Sequence, residues 1–176
     1  MIRLAHAEVP GVNQEQLLEQ WIRQYGNAIL RTCFVYLSDA AQAEDAMQDT
    51  FLKAWNSMAK FDDRGDGAAK KWLMRIAVNT CRDYRRSRWF RYVDRTKTLD
   101  NLPVSMEAMS SQDRSLLIDI MRLPEKYKRV ILLYYYQEMT LQETAEVLQI
   151  SRSTVHTRLQ KAEKLLKRIL TGGEIQ

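Results

Sequence analysis

Basic side chains are concentrated in two stretches of this chain, and their chemistry is that of polyanion binding. Residues 70–97 hold ten Lys and Arg against two Asp, and residues 151–170 hold six against one Glu. These stretches carry net charges of +8 and +5 in a chain of net charge +5, so the remainder sums to −8. Two basic patches on an acidic background predict a nucleic acid bound at two places.

The second basic stretch lies in a predicted helix-turn-helix. Thr140 and Glu143 have the spacing of a capping box, so the first helix begins there, and Ser151 is a typical N-cap for the second helix. Apolar residues recur along the second helix at steps of three and four: Val155, Leu159, Ala162, Leu166 and Ile169. The opposite face is basic, which favours DNA binding in the major groove over a helical hairpin with a solvated face. Arg152 either reads a base edge or pairs in the turn with Glu143 or Glu146.

The first basic stretch predicts a long helix that Asp66 caps and that runs to about Tyr92. Its predicted inner side is apolar: Leu73, Ile76, Ala77, Thr80, Cys81 and Tyr84. Its predicted outer side is polar and continues into two aromatic residues: Lys71, Arg75, Asn79, Arg82, Asp83, Arg86, Trp89 and Phe90. Cations contact phosphates, aromatic rings stack on unpaired bases and an amide reads a base edge, so this side suits nucleic acid. A merely solvated face would more often alternate in sign.

A third candidate surface is acidic and belongs to a helix predicted from Asp39 to about Ser57. Its inner stripe is predicted to be Met47, Phe51, Ala54 and Met58. Carboxylates near a helix start favour the helix dipole, so the acidic cluster also has a purely structural explanation. The side chains predicted to face outward at least in part are Gln48, Asp49, Lys53 and Trp55. An exposed tryptophan beside carboxylates indicates a protein-binding surface.

The remaining reactive residues predict neither an enzyme nor a metal site. His6 and His156 are the only histidines, and neither has a second ligand at metal-binding spacing. No glycine-rich loop follows a predicted strand, so we expect no phosphate-binding loop and no cofactor. Cys33 and Cys81 lie on apolar stripes and are predicted to be core residues. The sequence shows no secretory signal or membrane-spanning run, which predicts a cytoplasmic protein.

These surfaces require an all-α fold of two small lobes. We predict an arm over residues 1–12, an N-terminal lobe over 13–93, a linker over 94–111, a C-terminal lobe over 112–170 and a tail over 171–176. The linker has no helical period and contains Pro103, so we expect few contacts between the lobes and separate folding. Fully extended, it spans about 60 Å. This length exceeds one turn of duplex DNA, about 34 Å.

Three stretches of the chain resemble the extracytoplasmic-function (ECF) sigma factors of bacterial RNA polymerase. Residues 44–55 (EDAMQDTFLKAW) are similar to the polymerase-binding signature, and residues 72–86 (WLMRIAVNTCRDYRR) to the helix that melts and reads the −10 element. Residues 123–167 are similar to the domain that reads the −35 element. Ser153 and His156 depart from the usual pattern of this family. These departures bear on which −35 sequence is preferred, not on the class of protein.

The resemblance implies that the lobes are sigma regions 2 and 4. It implies an alternative sigma factor that directs promoter-specific initiation, in a stress or envelope response, and that is controlled by an anti-sigma factor, often membrane-bound. Contacts with the clamp of core RNA polymerase are implied for Asp45, Gln48, Asp49, Lys53 and Trp55, and contacts with the flap for the C-terminal lobe. Residues 61–71 are implied to capture a flipped base, and the melted −10 strand to meet Lys71, Asn79, Arg82, Asp83 and Arg86. The −35 DNA is implied to meet Arg152, Ser153, Thr154, His156, Thr157, Arg158 and Lys161.

A free-standing transcriptional regulator with an N-terminal dimerisation domain is the alternative. That hypothesis explains the C-terminal helix-turn-helix. It does not explain the second basic helix, nor the acidic helix that carries Trp55. Binding to purified core polymerase discriminates between the two functions.

Overall fold

The computed structural model describes residues 13–63, 65, 67–86 and 110–172. Within these ranges the chain is helical and contains no strand, which confirms the predicted all-α class. The helices are α1 Gln14–Leu37, α2 Ala40–Asn56, α3 Ala68–Arg86, α4 Ser111–Arg122, α5 Glu125–Ile131, α6 Leu141–Leu148 and α7 Arg152–Leu170. A short 3₁₀ helix (Met58–Lys60) follows α2, and a π-helical segment (Leu132–Tyr136) follows α5.

Helices α1, α2 and α3 pack against one another as a three-helix bundle. Asn13 caps α1 by accepting a hydrogen bond from the Glu15 backbone N–H. The predicted break after α1 is confirmed: Ser38 has a left-handed backbone (φ 57°), and the Asp39 carboxylate caps α2. Cys33 and Cys81 are both fully buried, as predicted for core residues.

The buried surface of α3 is wider than the sequence pattern predicts. Met74 and Val78 are fully buried although they lie off the predicted inner stripe, whereas Ile76 and Tyr84 are only half-buried. The reason is tertiary: α3 packs against α1 and α2, and also against α6 of the other lobe. The predicted cap Asp66 and the predicted continuation of this helix to residue 92 lie outside the described residues.

The C-terminal lobe consists of α4 to α7, with the predicted break at Leu123-Pro124. The sequence predicts Pro124 at the first helical position, but it takes the N-cap position of α5, and Glu125 is the first helical residue. The π-helical segment widens the turn after Ile131, so Leu132 and Leu133 are buried while Tyr134 is only half-buried. The predicted capping box is confirmed, because Thr140 and Glu143 each accept the other's backbone N–H.

The two lobes share an interface, so the prediction of few contacts between them is wrong. Helix α1 contacts α5, helix α3 contacts α6, and the apolar cores join. Gln137 is buried at this junction and donates to the Ala28 carbonyl (3.1 Å) and to Thr32 Oγ1 (3.2 Å) of α1. The Arg129 guanidinium lies 4.7 Å from the centre of the buried Tyr36 ring. Polar and aromatic contacts thus fix the orientation of the lobes.

Candidate nucleic-acid and polymerase interfaces

The amino-terminal half of α7 presents a polar, basic surface. Its N-cap Ser151 accepts a hydrogen bond from the Thr154 backbone N–H (3.1 Å), and the hydroxyls of Ser153 and Thr154 lie within 3.0 and 2.7 Å of Ser151 Oγ. Val155 and Leu159 are buried on the inner side. The predicted DNA-contacting side chains that are exposed are Arg152, Ser153, His156, Thr157 and Lys161. Thr154 and Arg158 are half-buried.

Arg152 is not held in the turn. Both candidate partners are used elsewhere, since Glu143 accepts the Thr140 backbone N–H (2.9 Å) and Glu146 pairs with Lys71 (3.4 Å) of α3. Arg152 has no hydrogen bond or ion pair to another residue of the described ranges. Its guanidinium is therefore available for bidentate contact with a guanine edge.

A groove of about 340 Å³ runs between the start of α5 and helix α7. Its lining is basic and hydroxyl-rich: Lys126, Tyr127, Ser153, Thr154, Thr157, Arg158 and Lys161. The Lys126 ammonium lies 5.0 Å from the Tyr127 ring centre. Sequence reasoning missed Lys126, because it precedes α7 by more than twenty residues and only the packing of α5 on α7 brings it to this surface. Its positive charge would suit the phosphate of a nucleic acid bound beside α7.

Part of the predicted single-strand-binding side of α3 contacts α6, whereas Arg75, Asp83 and Arg86 of that side remain exposed. Arg82 donates to the Leu148 carbonyl (2.8 Å) and to Gln149 Oε1 (3.1 Å), both at the carboxyl end of α6. It also donates to Asn79 Oδ1 (3.2 Å), which joins two predicted DNA-binding residues. A helix C-terminus concentrates unpaired carbonyls, so a guanidinium is favourable there.

Glu146 of α6 collects the other cations of this side. Its carboxylate lies 3.4 Å from the Lys71 ammonium and 3.9 Å from the Arg75 guanidinium. The pKa of Glu146 is below its ordinary value because the Gln142 side chain donates a hydrogen bond to it and Lys71 lies close by. Lys71 and Arg82 thus both contact the chain's own second lobe, and Asn79 accepts a hydrogen bond from Arg82.

The outward face of α2 is open to solvent. Asp45, Gln48, Leu52 and Trp55 are all exposed, with 59% of Leu52 and 37% of Trp55 accessible. These positions recur at steps of three and four and so share one helical face. Leu52 is absent from the predicted site, although its helical spacing from Gln48 and Trp55 places it on the same face of α2. An exposed Trp and Leu on one face suit a protein partner.

Asp49 and Lys53 belong to the contact between α2 and α3. The Tyr84 hydroxyl donates to Asp49 Oδ2 (2.8 Å), and burial together with this bond raises the pKa of Tyr84. The Lys53 ammonium donates to Thr80 Oγ1 (3.1 Å) and pairs with the Asp83 carboxylate (3.3 Å). The predicted polymerase surface and the predicted −10 helix are therefore directly linked.

The start of the loop before α3 is anchored by three aromatic rings. Phe61 packs 4.9 Å from Trp21 and 5.2 Å from Trp72, centre to centre. Trp21 is buried in the bundle, so the cluster fixes where the loop leaves the core. Arg86 is exposed at the end of α3, while the predicted base-stacking residues Trp89 and Phe90 lie outside the described residues.

The described residues bring no three His, Cys, Asp or Glu side chains together in a group that could hold a metal ion. None of their helices has the length and apolar character needed to cross a membrane.

The fold and these surfaces define a two-domain transcription initiation factor. Residues 21–91 match sigma-70 region 2, and residues 120–166 match sigma-70 region 4. The chain is 31% identical to RNA polymerase sigma factor YlaC of Bacillus subtilis, over 88% of this chain and 92% of that protein. It is 34% identical to ECF RNA polymerase sigma factor SigL of Mycobacterium tuberculosis, over 73% and 75%. A solved complex of the sigma factor RpoE with the anti-sigma factor NepR from Bartonella quintana has the same fold (TM-score 0.71, 20% identity, 89% and 98% covered).

The chain belongs to the ECF family of RNA polymerase sigma factors. It is an alternative sigma factor, and the region 2 match accounts for the acidic and basic N-terminal helices that a free-standing regulator left unexplained.

Proposed function

We propose that α7 reads the −35 promoter element and that α3 binds the melted −10 strand. The observation that carries the first part is the exposed amino-terminal half of α7, where Arg152 has no partner in the described structure. Arg152 and His156 lie one helical turn apart at the end that enters the major groove in this motif. Lys161, Lys164 and Lys126 contact phosphates, which fix register and carry no direct sequence information.

Core polymerase docks on the outward face of α2. The anchors are Leu52 and Trp55, flanked by Asp45 and Gln48, because apolar anchors with a polar surround carry most of the energy of such interfaces. Asp49 and Lys53 act by holding α2 against α3 as well as by meeting the polymerase. Residues 13–93 and 112–170 are the region 2 and region 4 units, and the linker over 94–111 lets both engage one promoter.

Regulation by an anti-sigma factor is part of this proposal. The solved structure of RpoE is a complex with the anti-sigma factor NepR, and this chain has the same fold as RpoE. The protein acts in the cytoplasm, where core polymerase and promoter DNA are found, and performs no catalysis of its own. No residue is assigned to a metal or cofactor.

The decisive experiment is promoter-selection profiling with reconstituted holoenzyme carrying Arg152→Ala or Lys164→Ala. Arg152→Ala is expected to cost about 1–3 kcal/mol at the preferred −35 sequence and to flatten the preference at one base position. Lys164→Ala is expected to weaken all sequences equally and to make the logarithmic salt slope shallower by about one unit. An unchanged base profile for Arg152→Ala would move sequence reading to His156 or Arg158.

The α2 surface is tested by affinity for purified core polymerase. The double variant Asp45→Arg, Trp55→Ala is expected to lose on the order of 2 kcal/mol or more of binding free energy. Asp45 is preferred to Asp49 for the charge reversal, because Asp49 also accepts the Tyr84 hydroxyl and its loss would disturb the bundle. Equal affinity of the variant and the wild type, with helicity retained, would exclude this face.

A further inference from the structure

Three cationic side chains on the predicted outer side of α3 (Lys71, Arg75 and Arg82) already have carboxylate or carbonyl partners within the chain. Lys71 and Arg75 pair with the Glu146 carboxylate, and Arg82 donates to the Leu148 carbonyl. Carboxylate and carbonyl oxygens are the protein groups closest in hydrogen-bonding character to phosphate oxygens. Helix α6 thus presents acceptors where a nucleic-acid backbone would present its own.

The other two surfaces are left open by this arrangement. Leu52 and Trp55 of α2 are exposed, and so is Arg152 of α7. The contact between the lobes therefore covers one functional surface selectively. A generally closed chain would hide all three.

We propose that α6 is an intramolecular gate on the strand-binding side of α3, with Glu146 acting as a phosphate mimic. The gate consists of the ion pairs of Glu146 with Lys71 and Arg75, together with the hydrogen bonds that Arg82 donates to the carboxyl end of α6. The free protein can meet polymerase through α2, but it binds unpaired DNA only after α6 leaves α3. This inference rests on the proposed role of α3 in binding the melted strand.

The contacts of the gate are weak enough for DNA phosphates to replace them. Glu146 and Lys71 are each about one-third exposed (35% and 36% of the side chain), so solvent screens their attraction and each such pair contributes little energy. A strand that supplies several phosphates together replaces these contacts. The closed state then lowers the apparent affinity for single-stranded DNA by the fraction of molecules that are open.

The test measures lobe distance and strand binding on the full chain. Fluorescent labels are placed on Gln20→Cys of α1 and Gln160→Cys of α7, both exposed, while the native Cys33 and Cys81 are buried. Glu146→Gln keeps the side-chain shape and removes the charge. It is expected to increase the distance between labels and to bind a fluorescein-labelled oligothymidylate about two- to tenfold more tightly than the wild type.

Two controls separate the gate from a simple change in charge. Glu19→Gln removes the same charge from α1, where Glu19 pairs only with Arg23 among described residues, and is expected to leave both readouts unchanged. Glu146→Lys is expected to open the lobes further, and adding Lys71→Glu is expected to restore part of the closed population.

The outcomes distinguish the gate from the proposed function. An unchanged label distance in Glu146→Gln overturns the gate, as does tighter strand binding without opening, because local charge alone would explain it. Opening without a gain in strand affinity also overturns it. Promoter-directed transcription by wild-type holoenzyme is measured in parallel. Absence of that transcription would contradict the proposed function and would leave the gate a separate question.

Discussion

At the scale of residues, two arginines of similar predicted role have opposite environments. Arg152 is exposed and has no partner among the described residues, whereas Arg82 is half-buried and donates to Leu148, Gln149 and Asn79. The difference is due to location, because Arg82 lies between the lobes and Arg152 at a free helix end. Identical side-chain chemistry therefore supports sequence reading at one site and an internal contact at the other.

Lys126 provides a prediction at the same scale. Lys126→Ala is expected to weaken binding of holoenzyme to all −35 sequences equally and to reduce the logarithmic salt slope by about one unit, because it removes a phosphate contact and no base contact. The measurement is promoter binding over a series of salt concentrations. Arg23→Ala on α1 removes a charge away from α7 and serves as the control. A selective loss at one base position would contradict the phosphate assignment.

At the scale of elements, the start of α5 is a charge cluster that ties the lobes together. Glu125 pairs with Arg85 of α3, and with Lys128 and Arg129 (both 3.0 Å) of its own helix. Burial acts to raise the pKa of Glu125, but Lys128 and Arg85 outweigh it and hold that pKa below its ordinary value. The ionised carboxylate is therefore favoured in the folded state.

The cluster predicts a specific acid dependence of stability. Because folding lowers the pKa of Glu125, its ionised carboxylate stabilises the folded state fully at pH values above the unfolded-state pKa of about 4.3. This stabilisation is lost as the pH falls through the pKa of Glu125 in the folded protein. Glu125→Gln is expected to cost about 1–3 kcal/mol at neutral pH, since Lys128 is buried and loses its counterion. Denaturant unfolding should show this difference shrinking at acid pH, whereas Glu19→Gln should cost little at any pH.

The π-helical segment after α5 places Gln137 in the junction, which gives a second prediction for an element. Gln137→Ala is expected to lower the free energy of unfolding by about 1–3 kcal/mol, because the Ala28 carbonyl and Thr32 lose a buried donor. Thermal or denaturant unfolding measures the change. Gln20→Ala, at an exposed position of α1, is the matched control. Equal stability of the two variants would show that the junction contributes nothing.

At the scale of the molecule, the interface between lobes changes what proteolysis is expected to show. The sequence predicts that cleavage occurs first in the aperiodic stretch over residues 94–111. The contacts of α3 with α6 and of α1 with α5 now predict that the two fragments remain associated at low salt. Gel filtration of the nicked protein should give one peak that separates as salt rises, and separates more readily with Glu146→Gln. Immediate separation at low salt would contradict a stable interface.

The sequence by itself determined several helix boundaries, because these depend on neighbours along the chain. The Thr140–Glu143 capping box, the Ser151 cap and the turn at Ser38-Asp39 are local hydrogen-bonding patterns. The family resemblance likewise depended on short contiguous motifs, and the relatives confirm it.

Only the tertiary structure decided which predicted surfaces are open. Met74 and Val78 are buried because α3 packs against α1 and α2 as well as α6. Lys71 and Arg82 have partners because α6 packs on α3 from a distant part of the chain. Lys126 lies beside α7 because α5 packs on that helix. Helical periodicity reports that one face is apolar and another polar. It carries no information about which polar face meets a second lobe, since a basic side chain binds a carboxylate of its own chain and a phosphate by the same electrostatic attraction.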